Sequence, residues 1–366
     1  MSELDKELSE RAGGRPESSG EFTLDPAQAR LKMARYQLES PHHFALSLVA
    51  SVVAGGATRI EVAQDADDFE LVANCQPLDR DALEQLFHSQ PNRQLHELAI
   101  ATNGALALEP VGLTIESGGH RLRASEALRV EECPNQGPFR FHLKTTAPLL
   151  KKLYTPATEL VASHLISERC GLAPVEELGV RGRLARLAVQ LGPCRCYGIV
   201  QGKFRIGLVN GSDGQRFQLE ASQSHSAVLS YQESGQPPSL TVILDGVSFM
   251  ASVDLGPKIR AIVWTTGLTK DLSQANLVRD EHWEALLEWL QERARELLAH
   301  LPAPPAEAPA GRCPSCGQTQ LVEGCPVQSQ AGPVQVKVGS QLRPLLAGVC
   351  QQCGHVSFNA SMTEGL

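Results

Sequence analysis

Two Cys-x-x-Cys-Gly pairs restrict the C-terminal end of this chain more tightly than any other feature. Cys313 and Cys316 form the first pair, in RCPSCGQ, and Cys350 and Cys353 form the second, in VCQQCGH. Two residues between thiols let both sulfurs face one ion from a tight turn, and the following glycine lets that turn close. Four thiolates suit tetrahedral Zn²⁺ at roughly 2.3 Å, and a site filled by four protein ligands is structural, with no open position for substrate. The 33 residues between the pairs hold strand candidates VQVKVGS and LAGV, as a ribbon requires. So small a module has little core, and zinc supplies about 10–16 kcal/mol of folding free energy in zinc-binding peptides. We therefore expect a zinc ribbon over residues 312–366.

The rest of the chain excludes several classes. Of 366 residues, 42% are hydrophobic and 20% charged, enough to bury two or three cores. The formal net charge of -8 argues against a general grip on nucleic-acid backbone, which needs a basic face. The ribbon itself carries only Arg312, Lys337 and Arg343 as basic residues, so a protein contact is favoured over nucleic acid. The longest apolar stretch, 44–57, is interrupted by serines and glycines and falls short of the ~20 residues of a membrane helix. The polar N-terminal stretch lacks an apolar signal core. A cytoplasmic protein without a membrane partner is expected, with its cysteines reduced or metal-bound.

Residues 1–22, rich in Ser, Gly and charge, read as a disordered tail. Asp25-Pro26 opens a helix, and Pro41 starts the next, which Gly55-Gly56 ends. Strands follow at ATRIEVAQ and DADDFELVANC, then a helix capped by Asp79 and an apolar helix HELAIATNGALAL. GLTIESG, HRLRA and FRFHLK read as strands, and Asp65, Asp67 and Asp68 as a solvated turn. After a helix near 149–170, a run of strand candidates precedes RDEHWEALLEWLQERARELLAHL. There Trp283, Leu286, Leu287, Leu290, Ala294, Leu297, Leu298 and Leu301 recur at helical spacing in one apolar stripe. Residues 302–311, PAPPAEAPAG, form a stiff Pro/Ala linker.

The segment LSLVASVVAGGATRIEVAQDADDFELVANCQPLDRDALEQLF resembles the ATP-binding fold shared by gyrase B, heat-shock-90-type chaperones, histidine kinases and mismatch-repair ATPases (GHKL). Gly56-Ala57-Thr58-Arg59-Ile60-Glu61-Val62 stands where those proteins carry Ala-Gly-Ala-Thr and a strand of Arg-Ile-x-Val type. Val72-Ala73-Asn74-Cys75-Gln76-Pro77 stands where they carry Asp-x-Gly-x-Gly. ERCGLAP and TKDLSQANLVRDE look like landmarks of the transducer domain that follows in several of them. The resemblance implies an α+β chain: a two-layer GHKL-type α/β sandwich over 23–145, then a transducer-like (ribosomal-protein-like) α/β domain over 146–301 ending in the amphipathic helix, then the zinc ribbon.

The same resemblance implies a degenerate site. The general base and the Mg²⁺-binding asparagine fall on Ala50 and Ser51, and the adenine-binding aspartate on Ala73. Cys75 and Pro77 replace glycines, and the glycine-rich lid shrinks to Gly104. Without a general base the rate typically falls ~10²–10⁴-fold. If ATP and Mg²⁺ bind at all, Asn74, Gly104 and Lys270 are the candidate contacts, Lys270 as the transducer lysine. The expectation is a pseudoenzyme: a chaperone-like interaction or scaffold protein whose partner is another protein, a client or a second copy of the chain. An ATP-binding chaperone-type ATPase is the alternative, and a regulator of a nucleic-acid machine acting through the ribbon is a third reading.

Overall fold

The computed structural model describes residues 38–301 except 89–91, 125–127, 135–136, 147–159, 186–187, 211–213, 233–238 and 257. Beyond 301 it describes only strands between 321 and 357. The N-terminal tail, the helix expected at Asp25-Pro26, the Pro/Ala linker, and Cys313, Cys316 and Cys353 lie outside the described residues. The chain divides into two compact units, Met1–Ala299 and His300–Leu366.

Helix α1 (Phe44–Ala54) follows a single 3₁₀ turn at Pro41–His43 and is apolar nearly all round. A helix of that composition must be buried on every side. Phe44, Leu48, Val49, Ala50 and Val52 are accordingly at most 1% exposed. Gly56, with φ +81°, ends it in a conformation that costs other residues energy. Strands β1 (Arg59–Gln64) and β2 (Asp68–Ala73) form a hairpin. Short α2 (Arg80–Glu84) is capped by Asp79, whose carboxylate accepts from the Ala82 amide at 2.8 Å. Asn92 caps α3 (Arg93–Leu106), which packs on α1. A Cβ on Gly104 would meet the end of the Leu38 side chain at 2.4 Å and the Phe44 Cβ, at the start of α1, at 3.1 Å.

Strands β3 (Gly112–Ser117), β4 (His120–Ala124), β5 (Leu128–Glu132) and β6 (Phe139–Lys144) extend the sheet. Helix α4 (Val161–Arg169) precedes β7 (Glu177–Val180) and β8 (Arg183–Ala185). The eight strands lie in the order β5-β4-β3-β6-β2-β1-β7-β8, with β7 parallel to β1 and the other neighbours antiparallel. Period-two alternation buries Ile60, Val62, Phe69, Leu71, Phe139 and Phe141 on one face. Phe44 stacks on Phe141 and meets Phe69 edge-on, with ring centroids 6.0 and 5.1 Å apart. On the other face, opposite charges pair across strands: Arg140 with Glu70, Lys144 with Asp68, Arg123 with Glu131.

Eight more strands follow: β9 (Ala188–Gln190), β10 (Cys194–Val200), β11 (Leu208–Asn210), β12 (Gln215–Gln218), β13 (Ser226–Gln232), β14 (Ser239–Leu244), β15 (Val247–Ala251) and β16 (Ile259–Thr265). Six form a sheet in the order β12-β10-β13-β16-β14-β15, and β9 pairs with β11 alone. Asp245-Gly246 joins β14 to β15 with φ of +48° and +82°, the geometry that Asp-Gly favours in tight hairpins. Trp264 is fully buried, its indole N–H donating to the Leu172 carbonyl at 2.8 Å. Helix α5 (Glu281–Ala299) buries Trp283, Leu286, Leu290, Ala294 and Leu297 of the expected stripe, while Leu287, Leu298 and Leu301 are only partly buried. In the second unit Leu321–Pro326 pairs with Leu346–Cys350, and Val356–Ser357 adds a third strand.

The expected two-layer GHKL-type sandwich, followed by a separate transducer-like domain, is corrected by this topology. The chain is mixed α/β and strand-rich, with several sheets and five α-helices among the described residues. The first sheet does not stop near residue 145: β7 and β8 complete it from beyond that point. The reason is physical. An uncovered β1 edge would leave a row of amides and carbonyls unpaired. Register from Arg59↔Glu177 to Val62↔Val180 satisfies them, and α4 makes the crossover that a parallel pair requires.

The apolar stripe of α5 carries a direct prediction. Leu290 is fully buried, so Leu290→Ala should destabilise the first unit by about 2–5 kcal/mol in urea unfolding, through lost burial and the cavity left behind.

Candidate functional site

Of the residues that the resemblance marks for nucleotide chemistry, Ser51 and Cys75 meet Gln94 at the start of α3, Ala50 and Ala73 are buried, and Asn74, Gly104 and Lys270 are engaged elsewhere. Ala50 and Ser51 are fully buried and Ala73 is 2% exposed. The Ser51 hydroxyl donates to the Gln94 carbonyl at 2.8 Å. Gln94, itself buried, sends its amide nitrogen to the Gln76 carbonyl at 3.2 Å and to the Cys75 sulfur at 3.7 Å. A Cβ on Gly55 would stand 2.6 Å from that nitrogen. The Gln94 side chain thus fills the space between the glycine end of α1 and the segment leaving β2. Asn74 is engaged in holding the hairpin base: its carbonyl accepts from the Thr58 and Arg59 amides at 3.0 and 2.7 Å, and its amide donates to the Thr58 hydroxyl. Gly104 lies far along α3, in the contact with Leu38 already described. Burial pushes the Cys75 thiol up to about 11, which keeps it protonated and unreactive at neutral pH.

Lys270 lies in a different setting. Its ammonium donates to Glu97 Oε1 at 2.7 Å, and the two side chains are 6% and 3% exposed. One helical turn back on α3, the Arg93 guanidinium pairs with Asp245, whose side chain is 6% exposed. The Asp-Gly turn between β14 and β15 puts that carboxylate in reach, so one local turn supplies a buried acid to a helix 152 residues away. Burial raises the Asp245 carboxyl above its ordinary range; Arg93 and Lys270 pull it down, and Glu97 adds to the rise. The four groups therefore share one electrostatic field. Beside them opens a cleft of about 280 Å³ lined by Arg93, His96, Glu97, Thr269, Lys270 and Gln274. The second Glu97 oxygen, buried, has no hydrogen-bond partner.

Asp65, Asp67 and Asp68 bring carboxylate oxygens within 4.8 Å of one another. Internal bonds account for the arrangement: Asp65 accepts from the Asp67 and Asp68 amides at 3.0 and 2.8 Å, and Asp68 is held by His142 and Lys144. Burial alone would raise the Asp68 carboxyl, but the hydrogen bonds from Lys144 and His142 outweigh it and hold it below the usual range. Of the expected zinc ligands, Cys350 ends the strand Leu346–Cys350, opposite Leu321.

Sequence reasoning singled out Lys270 but missed Glu97, Arg93, Asp245 and Gln94. A signal was present for two of them, because Arg93 and Glu97 lie four apart and so share one face of a helix otherwise rich in buried apolar residues. By sequence the chain matches no protein-family model and no curated protein.

A buried pair of this kind behaves asymmetrically. Lys270→Met alone should destabilise by about 3–5 kcal/mol, because Glu97 is left buried and uncompensated, whereas Lys270→Met with Glu97→Leu should recover most of that loss. Urea midpoints of the three variants and the parent chain decide it.

Proposed function

We propose that this chain acts as a chaperone-like interaction or scaffold protein, and that ATP hydrolysis is not its work. The observation that carries the reading is the Gln94 side chain, which occupies the place between Gly55, Cys75 and Gln76. The supporting chemistry is the identity of the neighbours. Alanine at 50 has no lone pair to accept a proton, the hydroxyl at 51 is already bonded to a backbone carbonyl, and alanine at 73 offers no carboxylate to an adenine amino group. The Lys270 ammonium, the one basic group that the resemblance offered to a phosphate, is neutralised by Glu97. Titration of the full-length chain with Mg²⁺·ATP by calorimetry should give binding of millimolar strength or weaker and no phosphate release; micromolar binding would overturn the reading.

The proposal includes one structural Zn²⁺ held by Cys313, Cys316, Cys350 and Cys353. The fit rests on the donor set and on Cys350, which ends a strand of a three-stranded antiparallel sheet, a support for a paired-cysteine turn. Bound there, zinc supplies folding free energy and no catalysis. Elemental analysis of chain purified without chelator should find one zinc per molecule, and Cys313→Ala should release it; metal-free protein would remove this part of the proposal.

A further inference from the structure

The outermost strand pair of the six-stranded sheet leaves a cavity that its cover does not fill. Strands β10 and β12 run parallel with Tyr197 opposite Arg216 and Ile199 opposite Gln218, so these four residues share one face. Segment 204–210 covers that face and is fastened at both ends. The Phe204 amide donates to the buried Ser226 hydroxyl at 3.0 Å, and that hydroxyl donates back to the Phe204 carbonyl at 2.8 Å. At the other end Leu208–Asn210 pairs with β9. Between floor and cover lies a space of about 470 Å³. Ile199, Ile206, Leu208 and Val209 give it an aliphatic wall, and Leu208 remains 66% exposed. A packed core leaves few voids larger than a water. Sites for small molecules instead run to about 300–1,000 Å³, with apolar walls and a few polar groups.

The polar groups of the cavity select the occupant. Arg216 and Tyr197 line it, and neither the guanidinium nor the phenol has a hydrogen-bond or ion-pair partner among the described residues. No aspartate or glutamate is among the lining residues. The sequence is locally basic as well: between Glu177 and Asp213 stand Arg181, Arg183, Arg186, Arg195, Lys203 and Arg205, and no acidic residue. Arg205 is answered by Glu176, which leaves Arg216 as the open cation at the cavity. We propose that this cavity binds an aliphatic monocarboxylate. Its hydrocarbon chain lies against Ile199, Ile206, Leu208 and Val209, and its carboxylate pairs with the Arg216 guanidinium, with the Tyr197 hydroxyl as a further donor. A guanidinium fork matches a carboxylate with two parallel hydrogen bonds. Each methylene buried on the aliphatic wall strengthens binding about fourfold. A nucleotide would bring more charge than one guanidinium answers, and a ribose that an aliphatic wall leaves without hydrogen bonds. A wall fastened at both ends loses little entropy when the ligand enters. The site is additional to the interaction reading above and does not depend on it.

Calorimetric titration of the full-length chain with sodium octanoate tests the site. One equivalent should bind saturably, with a Kd of about 1 mM or tighter. 1-Octanol keeps the chain and lacks the charge, and should bind at least about tenfold more weakly. Arg216→Gln should weaken octanoate by the same factor, the effect of losing charge-assisted hydrogen bonds. Leu208→Asp, which sets a carboxylate at the cavity, should weaken it comparably. Met250→Asp, on β15 at the opposite edge of the sheet, should stay within about twofold of the parent. All three positions are exposed, so each variant should melt with the parent chain. Absence of saturable binding in the millimolar range, octanol binding as tightly as octanoate, or an affinity that Arg216→Gln leaves unchanged overturns the site. So does adenosine monophosphate binding where octanoate does not, and so does sedimentation with phosphatidylglycerol vesicles by a chain that takes up no free octanoate.

Discussion

The buried ion pair between Lys270 and Glu97 is the constraint on which the arrangement of the first unit turns. Charges removed from water lose hydration worth several kcal/mol each, and the pair regains it only when distance and direction are right. At 2.7 Å the geometry is right, and it is right only if α3 and the segment after β16 occupy one relative position. The second pair, Arg93 with Asp245, ties the same helical turn to the hairpin between β14 and β15. Two pairs on one face of α3 thus fix the six-stranded sheet against that helix at two points, the β14–β15 turn and the segment after β16. Apolar contacts alone tolerate sliding and repacking, while a displaced carboxylate would leave a buried charge unanswered. Such pairs add little net stability over apolar replacements of equal volume; what they contribute here is a single register between elements 152 and 173 residues apart.

The local elements were legible in the sequence because their causes are local. The stripe from Trp283 to Leu297 repeats at helical spacing and buries as that spacing requires. Asp79 and the Gly55-Gly56 pair mark helix ends through bonds and backbone angles that involve only neighbours. The architecture was not legible in the same way. Glu177–Val180 is four residues long, with burial on its middle two positions only, and its role is set by the unpaired edge of β1 more than a hundred residues earlier. The likeness of the first segment to an ATP-binding fold stopped the first sheet near residue 145 because the motifs stop there; the hydrogen bonds of β1 do not.

The candidate site divides along the same line. Ala50, Ser51 and Ala73 could be identified by position, but position does not say what fills the space beside them. Gln94 fills it because the Asn92 cap starts α3 at a point that aims the second residue of the helix toward Gly55. Lys270 stood out by motif, yet its partner is a glutamate on a helix whose other buried residues are mostly apolar, and no periodicity argument pairs a lysine with an acid 173 residues away. A single acid within an apolar run is nevertheless a readable oddity: a buried carboxylate needs a cation, and the inventory of candidate cations in a chain with 33 basic residues is finite.

The polar positions of the eight-stranded sheet show the opposite use of charge. There Glu70, Asp68 and Glu131 meet Arg140, Lys144 and Arg123 across neighbouring strands, half exposed, where each pair is worth ~1 kcal/mol or less and is screened by salt. Those pairs keep a wide sheet face wet and let it tolerate substitution. The Glu97 cluster is dry, and its free oxygen cannot be satisfied by bulk solvent as the sheet carboxylates are. The described residues hold other buried polar atoms without a hydrogen-bond partner, among them Asn103 Oδ1, His120 Nδ1 and Ser163 Oγ, so the cluster differs from the sheet face in its burial rather than in standing alone.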